Sequence, residues 1–103
     1  MMEIERAIEH QKAGQLQQAE AIYRRILARE PDNPQALHLL GVISLQEGRY
    51  RAAEKLIEQA LALKPDYAEA YQSRGGWWFE KGDYDKAFSD FEKAIELKPE
   101  NAL

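Results

Sequence analysis

The chain has 103 residues and a mass of 11.9 kDa, which fits one domain with a modest core and excludes a large multidomain enzyme. Its formal net charge of -4 argues against nucleic acid and anionic membrane surfaces as partners, and the absence of cysteine excludes disulfides, cysteine-ligated metals and thiol nucleophiles. No apolar run reaches the length of a membrane span, and the acidic N-terminal residues do not fit a signal peptide, so the sequence predicts a cytoplasmic location.

A period of 34 residues runs through the whole chain. It is marked by proline at Pro31, Pro65 and Pro99, by glycine at Gly14, Gly48 and Gly82, and by alanine at Ala19, Ala53 and Ala87. A fixed period of this length is typical of repeat proteins built from one supersecondary unit. The sequence therefore predicts a single domain, 1–103, of three repeats with boundaries near 1–33, 34–67 and 68–101.

Each unit is predicted to be a helical hairpin, because apolar residues recur at helical spacing on both sides of its central glycine. Asn33 before Pro34 predicts an N-cap for the third helix, and Asp66 with Glu69 predicts a capping box for the fifth. The six helices are predicted near 2–13, 16–29, 34–47, 50–63, 68–81 and 84–97. The fold class is all-α, with three helix-turn-helix hairpins.

Small residues occur where the two helices of a hairpin are predicted to cross. Gly41 and Gly75 lie on the first helices of the second and third units, and Ala53 and Ala87 lie on the second helices. Such residues let two backbones approach closely while larger side chains fill the flanks. A bulky side chain at these positions is expected to clash.

The residues that recur with the period resemble the tetratricopeptide repeat (TPR) family. They are Tyr71, Gly75, Trp78, Ala87, Phe91 and Pro99 in the third unit, Leu37, Leu40, Gly41, Ala53, Ile57 and Pro65 in the second, and Ala19, Tyr23 and Pro31 in the first. Arg74 departs from the family pattern at a leucine position, and Ser44 departs at a tyrosine position. The resemblance implies a right-handed α-solenoid whose concave face is lined by the first helix of each unit.

Catalytic chemistry finds little support in the sequence. Neither His10 nor His38 has a carboxylate or a second histidine one helical turn away, so both are expected to be solvated or to line a groove. The serines predicted within helices have no neighbouring histidine, and Gly75-Gly76 is followed by tryptophans instead of the lysine of a phosphate loop. We therefore expect no enzyme activity, no catalytic residue, no metal site and no cofactor.

The third unit carries two unusual groups of side chains. Its acidic residues alternate with lysines and are expected to form a solvated face; they are Asp83, Asp85, Asp90, Glu92 and Glu96. The run Trp77-Trp78-Phe79 covers more than half of the helix circumference, so part of it must face outward. The resemblance places Trp78 in a buried aromatic position and Phe79 toward the groove.

The function that the resemblance implies is protein recognition, with a peptide bound along the concave face. Ile4, Ile8, Val42, Leu45 and Phe79 would align there as an apolar stripe, whereas a plain spacer would need no such alignment. The family's groove positions correspond here to Ile4, Ile8, Gln11, Lys12, Gln35, His38, Val42, Leu45, Gln46, Glu69, Gln72, Gly76, Phe79 and Glu80.

The charge of the predicted groove indicates which peptides it would select. Family members that bind the acidic C terminus of chaperones use Lys, Asn and Arg at groove positions that here hold Ile4, Ile8, Leu39, Glu69 and Ser73. The groove runs from Lys12 to an acidic end at Glu69 and Glu80. The sequence therefore predicts an apolar peptide with a basic flank as the partner.

The last helix suggests self-association. The sequence stops at the start of a would-be fourth unit with no C-terminal capping helix, and Phe88, Phe91 and Ile95 form an apolar stripe toward the vacant position. This predicts a homo-oligomer formed through the C-terminal end. Two alternatives remain: a structural or designed self-assembling unit, and the substrate-presenting repeats of a larger glycosyltransferase-like protein, which the run from Ala21 to Tyr71 resembles.

Overall fold

The computed structural model describes residues 2–99 and contains six α-helices in that range. They are α1 (Glu3–Lys12), α2 (Leu16–Arg29), α3 (Pro34–Gln46), α4 (Tyr50–Leu63), α5 (Ala68–Lys81) and α6 (Tyr84–Leu97). These bounds differ from the predicted ones by at most one residue. None of the helices between residues 2 and 99 is long and apolar enough to cross a membrane.

The turn inside each hairpin has the same geometry, and glycine is the reason. Gly14, Gly48 and Gly82 have φ angles of 81°, 77° and 85°, in the left-handed region that glycine adopts without a steric cost. At the second turn the Gly48 N–H donates to the Leu45 carbonyl at 3.2 Å, and the next N–H donates to the Ser44 carbonyl at 2.8 Å. This Schellman pattern ends the first helix of the hairpin and directs the chain into the second.

Of the two helix caps predicted from the sequence, at the starts of α3 and α5, only the first is present. Asn33 caps α3 as predicted, because its side-chain oxygen accepts a hydrogen bond from the Ala36 N–H at 3.0 Å. The capping box predicted for α5 is wrong: the N-cap residue is Tyr67, and it makes no side-chain cap. The Tyr67 ring is buried in the core, the N-cap position lies one residue after Asp66, and Glu69 instead accepts a hydrogen bond from Lys98.

The three hairpins stack side by side, α2 against α3 and α4 against α5, which confirms the predicted all-α solenoid of three hairpins. Two apolar clusters hold the stack together. The first cluster joins the first two hairpins and contains Ala7, Ala19, Ile22, Tyr23, Ile26, Ala36, Leu40 and Ile43. The second joins the last two and contains Leu37, Ile57, Ala60, Leu61, Tyr67 and Ala70.

Glycine allows close contact between the two helices of a hairpin, as the sequence predicted. A Cβ added at Gly41 would lie 2.9 Å from Cγ1 of Ile57 and 3.4 Å from the carbonyl oxygen of Ala53. A Cβ added at Gly75 would lie 2.8 Å from the ring of Phe91. These distances leave no room for a side chain at either glycine.

A buried ion pair replaces an apolar contact in the third hairpin. The Arg74 guanidinium donates two hydrogen bonds to the Asp90 carboxylate, both at 2.8 Å, and Asp90 is only 5% exposed. The expectation that Asp90 belongs to a solvated face is therefore wrong, because this residue lies on the side of α6 that packs against α5. One period earlier the same two positions hold Leu40 and Leu56.

Candidate functional site

A cleft of about 510 Å³ runs between α3 and α5, the first helices of the second and third hairpins. Val42 and Leu45 provide an apolar wall, and Glu80 is the only charged residue among the side chains that line the cleft, all within residues 42–80. The complete lining is Val42, Leu45, Gln46, Tyr50, Gln72, Ser73, Gly76, Trp77 and Glu80. Apolar walls with a few polar groups are typical of binding clefts.

The structure brings six of the predicted groove residues together in this cleft: Val42, Leu45, Gln46, Gln72, Gly76 and Glu80. Two others, Gln35 and Glu69, line a separate cleft of about 690 Å³ beside the turns that join the hairpins. Phe79 is exposed and stacks edge-on against Tyr84, with ring centroids 5.2 Å apart. The predicted groove is thus divided between at least two surfaces.

The predicted groove residues of α1 lie apart from both clefts. Ile4 and Ile8 are half-buried, and Ile4 packs against the first apolar cluster. The Gln11 side-chain oxygen accepts a hydrogen bond from the Tyr23 hydroxyl at 2.8 Å. Only Lys12 of this group is exposed, so α1 supports the core more than it offers a binding surface.

Gly76 keeps the cleft between α3 and α5 open. A Cβ added at this glycine would meet no atom within 4 Å, in contrast to the tight contacts around the preceding Gly75. A side chain at position 76 would therefore extend into the cleft without disturbing the core. The absence of a side chain lets a ligand approach the backbone of α5.

His38 does not line the groove, contrary to the sequence-based prediction. It is only 4% exposed, and its ring forms hydrogen bonds with the Tyr67 hydroxyl at 3.1 Å and the Ser73 hydroxyl at 2.8 Å. Burial lowers the pKa of His38 to about 4, although the negative charge of Glu69 partly opposes this effect. The neutral imidazole therefore joins α3 to α5 through two hydroxyl groups.

We expect His38 to make the protein less stable as the pH falls below neutrality. Its pKa is about 4 in the folded chain and ordinarily 6.5, so the unfolded chain takes up the proton first. From this residue alone, the free energy of unfolding should fall by about 2 kcal/mol between pH 7 and pH 5. Urea unfolding across this range measures the slope. His38→Gln should flatten it, and an unchanged slope in that variant would contradict the assignment.

Trp78 is not the buried tryptophan, contrary to the expectation from the resemblance. Trp77 is the buried one, 8% exposed, and its ring lies 6.0 Å from the Tyr50 ring, whereas Trp78 is half-exposed beneath the Lys86 ammonium. The sequence held the signal for this, because Trp77 falls 34 positions after the fully buried Ile43. Tyr50 and Trp77 line the cleft but were not predicted from the sequence, and Ser73, which also lines it, was considered only as a groove position of the chaperone-binding members.

The stripe predicted for self-association is only partly exposed. Phe88 and Ile95 are 65% and 47% exposed. Phe91 is half-buried, because its ring occupies the space that Gly75 leaves on α5. The exposed part of the stripe therefore consists of Phe88 and Ile95, and self-association through it stays a prediction.

The two carboxylates at the predicted acidic end of the groove, which line different clefts, also differ in their partners. Glu69 accepts a hydrogen bond from Lys98 at 2.9 Å, and this contact holds the pKa of Glu69 below its usual range. Glu80 forms no salt bridge with any residue in the described range. The residues from 2 to 99 also contain no group of three His, Asp or Glu side chains that would hold a metal ion.

Family models with one description match the chain from residue 10 to residue 101. A family model described as tetratricopeptide repeat matches residues 10–74, and a second model with the same description matches residues 68–101. The first match alone covers more than half of the chain. No curated protein sequence matches the chain.

Several solved structures resemble the fold. A mutant of the Thermobaculum terrenum O-GlcNAc transferase is 32% identical with a TM-score of 0.88, and the match covers 94% of this chain and 19% of the other. MamA is 27% identical with a TM-score of 0.77, covering 93% of this chain and 56% of the other. The second TPR of Spaghetti (RPAP3), bound to the HSP90 peptide SRMEEVD, is 29% identical with a TM-score of 0.83, covering 94% and 84%. The chain thus spans about a fifth of the first protein and just over half of the second.

Proposed function

Because the chain belongs to the tetratricopeptide repeat family, we propose that it is a protein-interaction module that binds an extended peptide between α3 and α5. The observation that carries this proposal is the cleft itself, which combines an apolar wall, amide side chains and an open glycine. Amide groups such as those of Gln46 and Gln72 suit the main chain of an extended peptide, since each both donates and accepts hydrogen bonds. A TPR of Spaghetti (RPAP3) with a bound peptide supports the same kind of role.

The peptide that fits this cleft best is apolar with a basic flank. Val42 and Leu45 favour apolar side chains, and the Glu80 carboxylate, which has no salt bridge within residues 2–99, favours a positive charge nearby. No lysine or arginine lies among the lining residues between 42 and 80, and the nearby Lys81 ammonium is held over the Tyr50 and Trp77 rings, so the lining offers an acidic peptide such as SRMEEVD no cationic partner. We therefore propose different selectivity from that structural relative.

Selection from a displayed library of random nine-residue peptides tests the proposal. We expect the enriched sequences to combine aliphatic residues with lysine or arginine. A basic peptide from this pool should bind roughly two- to five-fold more tightly than the same peptide with glutamate in place of the basic residue, as expected for one solvent-exposed ion pair. Tighter binding of the acidic peptide, measured by calorimetry, would contradict the proposed selectivity.

Two variants locate the binding surface. Leu45→Glu places a charge on the apolar wall and should abolish peptide binding, whereas Leu63→Glu alters an exposed leucine on α4 outside the cleft and should not. Circular dichroism establishes that both variants remain folded. Equal loss of binding in the two variants, or no loss in either, would show that the peptide does not bind between α3 and α5.

A second candidate function is that these repeats present acceptor proteins to the catalytic domain of a larger glycosyltransferase-like protein. The observation that favours it is the TM-score of 0.88 with the Thermobaculum terrenum O-GlcNAc transferase, of which the match covers only 19%. The gene sequence on both sides of these 103 codons decides between the candidates. A catalytic domain encoded on either side would support the second candidate, and a gene that encodes none would exclude it.

A further inference from the structure

Two aromatic rings meet at one end of the cleft between α3 and α5. Tyr50, the first residue of α4, is half-exposed, and its ring centroid lies 6.0 Å from that of the buried Trp77, with an angle of 32° between the ring planes. Both residues line the cleft. The rings therefore present an aromatic surface beside the position where a bound peptide would pass.

This pair of rings already holds a cation of the chain itself. The Lys81 ammonium lies 5.5 Å from the centroid of Tyr50 and 5.1 Å from that of Trp77, within the range of cation–π attraction. Lys64, Arg74 and Lys86 lie over aromatic rings as well, but in the described part of the chain each of these contacts one ring only. Lys81 differs because it contacts two rings and because those rings belong to the cleft.

Two further features of the cleft suit an incoming group. The Glu80 carboxylate lines the same cleft and has no salt bridge to any residue between 2 and 99. The Trp77 indole N–H is buried and has no hydrogen-bond acceptor within the described residues. A buried donor without an acceptor is costly, so a ligand carbonyl oxygen that reached this N–H would be favoured.

We infer that Tyr50 and Trp77 form a cation-recognition subsite, in which a lysine or arginine side chain of the bound peptide replaces the Lys81 ammonium and has its charge balanced by Glu80. The inference rests on the proposed peptide-binding function and specifies where the basic flank of the peptide lies. Lys81 is exposed and sits at the end of α5, so its side chain is free to swing into solvent. It acts as an internal competitor that weakens binding of the partner's cation.

The test uses a small cation in place of a peptide. Ethylguanidinium is titrated into the full chain, with N-ethylurea as its uncharged analogue, and the ¹H–¹⁵N signal of the Trp77 indole is followed by NMR after assignment with Trp78→Phe. Lys81→Met should bind ethylguanidinium roughly 3- to 30-fold more tightly than the wild type, the range expected for one cation–π contact. N-ethylurea carries no charge, so Lys81→Met should not tighten its binding, even though its carbonyl oxygen can accept a hydrogen bond from the Trp77 indole.

Matched variants separate the subsite from a general effect of charge. Lys93→Met removes one positive charge from α6, outside the cleft, and should leave the affinity for ethylguanidinium unchanged. Adding Tyr50→Leu to Lys81→Met should reverse the gain, and this position is exposed enough to tolerate the change. The inference is overturned if Lys93→Met tightens binding as much as Lys81→Met, or if Tyr50→Leu has no effect.

The result of the ethylguanidinium titration does not depend on the result of the peptide selection. If selected peptides bind the cleft but ethylguanidinium does not bind at Trp77, the subsite is refuted and the proposed function stands. If ethylguanidinium binds as expected and the library yields no enriched peptide, the proposed function is refuted and the cation site stands.

Discussion

Replacing Arg74 by leucine is expected to lower the free energy of unfolding by about 3 kcal/mol, because it leaves the buried Asp90 carboxylate without its partner. Asp90→Leu should lower the free energy of unfolding by less. The Arg74 side chain is 25% exposed, so its guanidinium can turn toward water when the carboxylate is removed. Urea unfolding of both variants at neutral pH measures this asymmetry.

The double variant Arg74→Leu/Asp90→Leu recreates the pair that the preceding repeat contains, Leu40 with Leu56. Exchanging a buried ion pair for apolar residues is often neutral or stabilising, so we expect stability within about 1 kcal/mol of the wild type or above it. The two single losses would then greatly exceed the combined loss. Additive losses would mean that the third hairpin has no room for the leucine pair.

Two adjacent glycines should respond in opposite ways to the same substitution. Gly75→Met forces a side chain against the Phe91 ring, where a Cβ alone would lie 2.8 Å from the nearest atom, and should destabilise the protein by about 3 kcal/mol. Gly76→Met meets open space and should stabilise α5 by roughly 0.5 to 1 kcal/mol through its higher helix propensity. Thermal unfolding gives both values.

Peptide binding provides a second test at Gly76. Gly76→Met fills the cleft between α3 and α5 and should weaken a selected peptide at least about ten-fold, the effect of losing 1.4 kcal/mol of contacts. Gly76→Ala is the matched control, since it gains helix propensity while it leaves most of the cleft open. If Gly76→Met bound the peptide as tightly as the wild type, the proposed binding surface would be wrong.

The 34-residue period was enough to predict the hairpins, because the residues that recur with it determine the local backbone conformation. Gly14, Gly48 and Gly82 mark turns with positive φ angles, and apolar spacing marks the helices between them. The turns and the helices both depend on residues that are close together in the chain. The structural predictions that failed concern side chains whose partners lie on other helices.

His38 illustrates this limit. Its hydrogen-bond partners are 29 and 35 residues away, and a helical wheel predicts the face on which a residue lies but not how deep a neighbouring helix buries it. The sequence does contain a signal for the pair of Arg74 and Asp90, since both residues depart from the period and carry opposite charges. Comparing the departures within one hairpin as pairs would have predicted the buried ion pair from the sequence.

The polar bridge from His38 to Tyr67 and Ser73 spans only one of the two boundaries between hairpins. In a stacked array each hairpin is stabilised by its immediate neighbour, so weakening one boundary loosens what lies beyond it and spares the rest. Protonation of His38 would thus weaken the boundary with the third hairpin, leaving its apolar cluster in place, while the boundary between the first two hairpins is unaffected. Acid would loosen the array from one end, instead of all at once.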